Sequence, residues 1–166
     1  MACRSGLRGA IVIGVVAPVL QLAGVLSPVP VLDHPAIGIL GGIAGVLGIA
    51  ATLWAQESMG DSWRIGVDAS ETTQLVDSGV FALVRNPIFT AMLVFGLGVA
   101  LMAPNGLALF GFGLLLVAIE LQVRVVEEPY LRSAHGRRYA DYAVRVGRFI
   151  PGVGRTASVS GSSNKP

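Results

Sequence analysis

Charged side chains make up only 13% of this 166-residue chain, against 53% hydrophobic ones. A soluble domain is about a quarter charged, so the shortage excludes an ordinary water-facing surface and indicates an integral membrane protein. Cysteine is nearly absent: Cys3 stands alone, which rules out an internal disulfide. With only His34 and His135 beside it, no structural zinc site and no other metal is expected. Lysine is reduced to Lys165 against eleven arginines, and the formal net charge is +2. That is too little to indicate a nucleic-acid partner, and none is expected. The length suits one compact domain.

What the chain has is apolar runs, at 10–26, 36–55, 88–103 and 107–123. A span needs about 20 residues, with about 17 as the lower limit. The second run is comfortable. The third and fourth are short and are joined by Pro104-Asn105-Gly106, a turn signal, so they are read as a tight helical hairpin. Arg4 and Arg8 before the first run resemble the start of a signal peptide. That run is long for such a segment, however, and no clear small-x-small cleavage site precedes Pro28, so it is read as a span. All twelve basic residues then fall on one side of a four-helix arrangement, which the positive-inside rule makes cytoplasmic, with both termini inside. The expected fold is all-α. It is a polytopic protein of the plasma or inner membrane with about four transmembrane helices, a cytosolic loop and a C-terminal amphipathic helix.

Within the second run, Gly38/Gly42 and Gly41/Gly45/Gly48 form small-residue ridges at helical spacing, which let helices approach closely in lipid. The Gly/Ser-rich stretch 152–166 is expected to be a disordered tail after a single domain at 1–151.

Chemistry can reside in the two cytoplasmic stretches, the loop 56–86 and the sequel to the fourth run. In Arg85-Asn86-Pro87 two readings stand. Asn86 suits an N-cap, Pro87 the first helical turn, and Arg85 can snorkel to the interface. Alternatively the free N–H groups of a helix start, with Arg85 beside them, suit a ligand carboxylate. Glu120, Arg124, Glu127 and Glu128 fall on one face of a continuous helix. Glu120 lies near the membrane boundary with Arg124 as its partner, either as a functional pair or as a salt-bridged helix exit. Tyr130, Tyr139 and Tyr142, interleaved with arginines, suit a basic amphipathic helix on anionic membrane lipid.

The stretch LVDSGVFALVRNPIF is similar to the Leu-Val-x-x-Gly-x-Tyr-x-x-x-Arg-His-Pro-x-Tyr signature of the isoprenylcysteine carboxyl methyltransferase-like proteins, relatives of the phospholipid methyltransferases. EEPYLRSAHGRRYADYAVRVGRFIP resembles their closing signature, and GDSWRIGV their stretch before the loop. The resemblance covers roughly 59–152. It implies a membrane methyltransferase that uses S-adenosylmethionine from the cytosolic side and takes a lipophilic or lipid-linked acceptor from the bilayer, carboxylate O-methylation being favoured. Carried over, the cofactor contacts are Thr73, Gln74, Leu75, Val76, Phe81, Asn86, Pro87, Ile88, Phe89 and Glu127. Arg124 is the nearest match to the substrate-facing arginine, and Arg85 and Glu128 complete the candidate catalytic set. Asn86 stands where the family usually has His, and Phe81 and Phe89 where it often has Tyr. If the acceptor is an amine, a general base is wanted, and Glu120 or Glu128 becomes the candidate. Two alternatives remain open: an NADPH-dependent sterol- or steroid-type reductase, whose closing signature is related, and a non-enzymatic four-helix transporter or interaction protein.

Overall fold

A computed structural model describes residues 2–59 and 75–157. Its elements are α1 (Ala2–Leu22), α2 (Pro35–Met59), a 3₁₀ turn (Gly79–Ala82), α3 (Pro87–Met102), α4 (Gly106–Leu121), a π-helical segment (Gln122–Glu127) and α5 (Glu128–Arg145). Among the described residues there is no strand, only an isolated parallel bridge between Val84 and Gly147.

The first helix ends earlier than its hydrophobicity suggests. Gly24 takes a φ of +73°. Its N–H donates to Gln21 O while Val25 N–H donates to Leu20 O, at 3.0 and 2.9 Å. This is a Schellman motif, which closes a helix through one left-handed residue, so Val25 and Leu26 leave the axis. The Pro-Asn-Gly turn forms as expected. Asn105 Oδ1 accepts from Ala108 N at 2.9 Å and caps α4, while its Nδ2 donates to Ala17 O and Gln21 Oε1 at 3.1 and 2.8 Å. A buried amide held on every side locks the end of α1 to the α3–α4 turn. Val29 N donates to Pro104 O at 2.6 Å, so the α1–α2 loop lies at the same end.

Packing follows the glycines. α3 lies chiefly against α2, and α4 against α1. A Cβ on Gly41 would come within 2.7 Å of Gly98 O, and one on Gly98 within 2.6 Å of Gly41 O and Gly45 N. The Gly41/Gly45/Gly48 ridge is therefore the seam with α3. Gly38 and Gly42 face open space, so the two ridges expected from the sequence are not equivalent.

The outward surfaces of these helices are apolar. Val46 is 67% exposed and Phe110 63%, a surface suited to lipid rather than water. α2 and the run that starts with α4 are long and apolar enough to cross a membrane; α3 and the apolar part of α1 are shorter.

Beyond α4 the helix does not keep its phase. Pro129 has no N–H to offer and its ring opposes the carbonyl four residues back. The chain widens into a π segment, with Glu128 N–H donating to Val123 O. Wide turns carry more than 3.6 residues, so the expected single face of Glu120, Arg124, Glu127 and Glu128 is broken up. The run bends again at Gly136, whose φ of +50° and ψ of −122° interrupt α5.

Candidate functional site

The site forms at the end of the bundle opposite the Asn105 turn. After the 3₁₀ turn the chain runs beside the segment that follows α5. Arg85 N donates to Gly147 O at 2.8 Å and Asn86 N to Arg148 O at 3.1 Å. Asn86 Nδ2 also donates to Arg148 O, and Thr90 Oγ1 to Phe149 O, at 3.2 and 3.0 Å. Gly147 is required here: a Cβ would lie 2.1 Å from Ile150 O. Asn86 stands at the N-cap position of α3, its carbonyl accepting from Thr90 N at 2.9 Å, but its side chain makes no cap hydrogen bond and its amide donates to Arg148 O instead. Pro87 does occupy the first turn of α3.

Beneath this seam lies an ion cluster. Glu128 is bound in a fork by Arg148, Nε to Oε1 at 2.7 Å and Nη2 to Oε2 at 3.1 Å. Arg85 Nη2 stands 3.2 Å from Glu128 Oε1 and donates to Gly154 O at 2.7 Å. Arg85 is buried, its side chain 1% exposed, so it does not snorkel outward as one reading proposed. Burial pushes the Glu128 carboxyl up, but the Arg148 hydrogen bond and the charges of Arg85, Arg148 and Arg132 outweigh it and hold the group below the ordinary carboxylate value. Two cations against one anion leave the cluster with a net positive charge. Arg85 Nε and Nη1 are buried with no hydrogen-bond partner among the described residues.

Two of the three tyrosines are inside rather than on an outward surface. Tyr139 and Tyr142 are buried and pack edge to face at 6.1 Å, together with Leu75 and Ala143; Tyr130 is exposed. Burial raises both phenols above their ordinary value. Tyr142 OH donates to Phe81 O at 2.6 Å and so pins the 3₁₀ turn to α5.

A cavity of about 210 Å³ opens beside these groups. Leu75, Val76, Phe81, Asn86, Pro87, Ile88, Phe89 and Glu127, named from the sequence, all line it, as does Arg85. Thr73 and Gln74 lie outside the described residues. Glu128 is committed to its two arginines and does not line the cavity, and Arg124 also lies elsewhere. Arg124 pairs with Glu120 on an exposed face, its own side chain 57% exposed. Sequence reasoning missed Met59, Leu131, His135 and Tyr142 on the wall. Leu131 and His135 follow Glu127 at spacings of four and eight, a helical signal that was available; Met59 offered none. Arg148 falls within the stretch that resembles the closing signature, but nothing in the sequence gives it a place in the site.

A second cavity of about 430 Å³ lies among α1, α3 and α4, between residues such as Ile11, Val15, Met92, Phe95, Phe112 and Leu115. Its lining is apolar throughout. Met92 follows the cavity residue Ile88 by one turn of α3, about 6 Å, so the two spaces follow one another along α3.

The family model for phospholipid methyltransferases matches residues 36–138. The chain belongs to the phospholipid methyltransferase family. The match runs from α2 into α5 and includes every cavity residue except Tyr142. Protein-S-isoprenylcysteine O-methyltransferase B of Arabidopsis thaliana is 29% identical over 89 residues, 54% of this chain and 45% of that protein. A probable protein-S-isoprenylcysteine O-methyltransferase of Oryza sativa subsp. indica is 30% identical over 87 residues, 52% of this chain and 46% of that protein. The chain thus matches just under half the length of these relatives. No solved structure matches it.

The wall suits a molecule with a carboxylate at one point, amino or hydroxyl groups at another, and a flat or cationic part between. Arg85 supplies unpartnered N–H groups, Glu127 an acceptor, and Phe81 and Phe89 aromatic faces of the kind that attract cations. S-adenosylmethionine has all of these features, so the residues present fit it.

Proposed function

We propose that the protein is an integral membrane methyltransferase that uses S-adenosylmethionine and methylates a lipophilic or lipid-linked acceptor, O-methylation of a carboxylate being favoured. The observation that carries this reading is the meeting of the loop, the start of α3 and Glu127 around one cavity beside the unpaired nitrogens of Arg85. Family membership and the names of the relatives support the reaction class. In this proposal four helices span the bilayer, with the α3–α4 turn outside and both termini and the cavity on the cytoplasmic side.

When bound, the sulfonium of the cofactor supplies an already activated methyl group. The protein's part is positioning. Arg85 Nε and Nη1 receive the cofactor carboxylate, helped by the first-turn N–H groups of α3. Glu127 accepts hydrogen bonds from its amino or hydroxyl groups. Glu128 and Arg148 act as positioning residues that hold Arg85. The acceptor's chain lies in the apolar cavity one turn along α3, which brings its head to the polar one. Arg124 meets an arriving carboxylate at the exit of α4, in exchange for Glu120. A carboxylate acceptor has no proton to lose, so it would ask no base of the residues on the wall.

The test is equilibrium binding of S-adenosylmethionine to the detergent-purified chain, with NADPH alongside. Saturable binding of the former, weakened at least tenfold by Glu127→Ala and by Asn86→Ala, is expected. Binding of NADPH instead moves the protein to the reductases, and binding of neither removes the enzymatic reading.

A further inference from the structure

We propose that α1 measures the hydrocarbon chain of the acceptor and that Gly14 sets how far the chain can enter; the proposal rests on the methyltransferase reading above.

The apolar cavity of about 430 Å³ takes a wall from each of α1, α3 and α4. The α3 and α4 walls lie within the family match at 36–138, whereas Ile11, Gly14, Val15 and Pro18 of α1 lie before it. What α1 does to this cavity is therefore not carried by the family match.

Three glycines line the cavity, and they differ. A Cβ on Gly111 would come within 2.6 Å of Ile13 Cγ2, and one on Gly96 within 2.7 Å of Leu115 Cδ2, so neighbours fill the space at both. A Cβ on Gly14 would meet nothing within 4 Å, and Gly14 lies inside α1 without a positive φ. Neither crowding nor conformation calls for glycine there, and glycine is a poor helix former. What the missing side chain leaves is open cavity.

The cavity has a floor. One turn beyond Gly14, Pro18 meets the level of Ala100 and Ala108. There Ala17, Ala100 and Ala108 pack into one buried cluster, and Asn105 Nδ2 donates to Ala17 O. At the other end Met92 stands one turn from Ile88 of the polar cavity. From Ile88 to Ala100 is about 18 Å along α3, which an extended chain of roughly fourteen carbons spans. The volume agrees. A cavity of about 150 Å³ takes the six carbons of benzene, so about 430 Å³ takes on the order of seventeen carbons. Both measures describe one hydrocarbon chain. A side chain at position 14 would project into its path about 6 Å before the floor, and so remove room for roughly four methylene groups.

The experiment compares methyl transfer to saturated carboxylates from octanoate to octadecanoate by the reconstituted full chain, for the wild type, Gly14→Ala and Gly14→Leu. S-adenosylmethionine binding is measured on all three. In the wild type kcat/KM should rise by about fourfold for each added methylene, the usual gain from burying one, and stop rising once the cavity is full. Gly14→Leu should move that break to chains shorter by about four carbons, and Gly14→Ala by fewer, with cofactor binding and the octanoate rate unchanged. Hexadecanoate carrying a diazirine at its far end reads the same limit without any methyl transfer. Its adducts should map to the levels of Gly14 and Pro18 in the wild type and leave them in Gly14→Leu. A break that stays in place, or adducts scattered over the outward helix faces as for an ordinary bilayer lipid, overturns the role of Gly14. A wild type that binds no S-adenosylmethionine defeats the methyltransferase reading instead, and the adduct map still decides whether Gly14 limits the chain.

Discussion

At the scale of single residues, the stability of the site depends on Glu128. Removing one partner of a buried pair leaves the other uncompensated and costs about 3–5 kcal/mol. Glu128→Ala, which leaves the buried Arg85 without its anion, should therefore lower the thermal midpoint in detergent strongly, and Arg124→Ala, on an exposed pair, should hardly move it. The pH dependence has a definite sign. Glu128 is held below its ordinary value, so its contribution is fully present above about pH 4.5, the unperturbed carboxyl value, and is lost as pH falls through the lower folded value. A thermal midpoint that is flat from neutrality to about pH 5 and then falls, with the fall reduced in Glu128→Gln, is the expected result. Much of this was hidden in the sequence. The residues Arg85, Glu128 and Arg148 could each be seen, but their meeting could not, because it depends on a phase shift in one helix and a returning segment from another part of the chain.

At the scale of elements, two seams differ in what they tolerate. Gly98→Leu should drive α3 away from α2, because the space is filled by backbone atoms within 2.6 Å of the first added carbon; overpacking of this kind costs about 1–3 kcal/mol or more. Gly42→Leu, facing open space, should be close to neutral. A comparison of thermal unfolding of the two variants decides this. Helical spacing in the sequence marked two glycine ridges as packing surfaces, but only Gly41/Gly45/Gly48 meets another helix among the described residues, and spacing alone could not say which. Likewise the turn at Pro104-Asn105-Gly106 was legible because local backbone chemistry dictates it. The π segment was not, because it depends on how the helix accommodates Pro129, whose ring opposes a carbonyl of the preceding turn. Gly136→Ala should lower stability by about 1–3 kcal/mol, because a φ of +50° with a ψ of −122° is a conformation that side chains other than glycine's rarely adopt.

At the scale of the whole molecule, the proposed orientation makes a prediction of its own. On a Cys3→Ser background, single cysteines placed at 27–35 should react with an impermeant thiol reagent from outside the cell, and cysteines at 150–154 should not. The reverse pattern would overturn the orientation while leaving the fold intact. The arrangement of helices follows from apolar runs that any membrane chain must bury or show to lipid. The cavity was legible only through resemblance, because its walls come from distant stretches of sequence that no local rule brings together.

The partnership of Arg85 with Gly147 and Gly154 also has a consequence in time. These partners are made some 60 residues after the arginine they hold, and a chain is synthesised at about 5–20 residues per second. For several seconds after Arg85 leaves the ribosome its backbone N–H and one of its guanidinium nitrogens have no native partner. The helices can insert in order, but the site is completed only after the segment 147–154 has emerged. A nascent chain arrested after Arg145 should therefore already be inserted yet unable to hold a methyl donor, and that capacity should appear only once the segment through Gly154 is free.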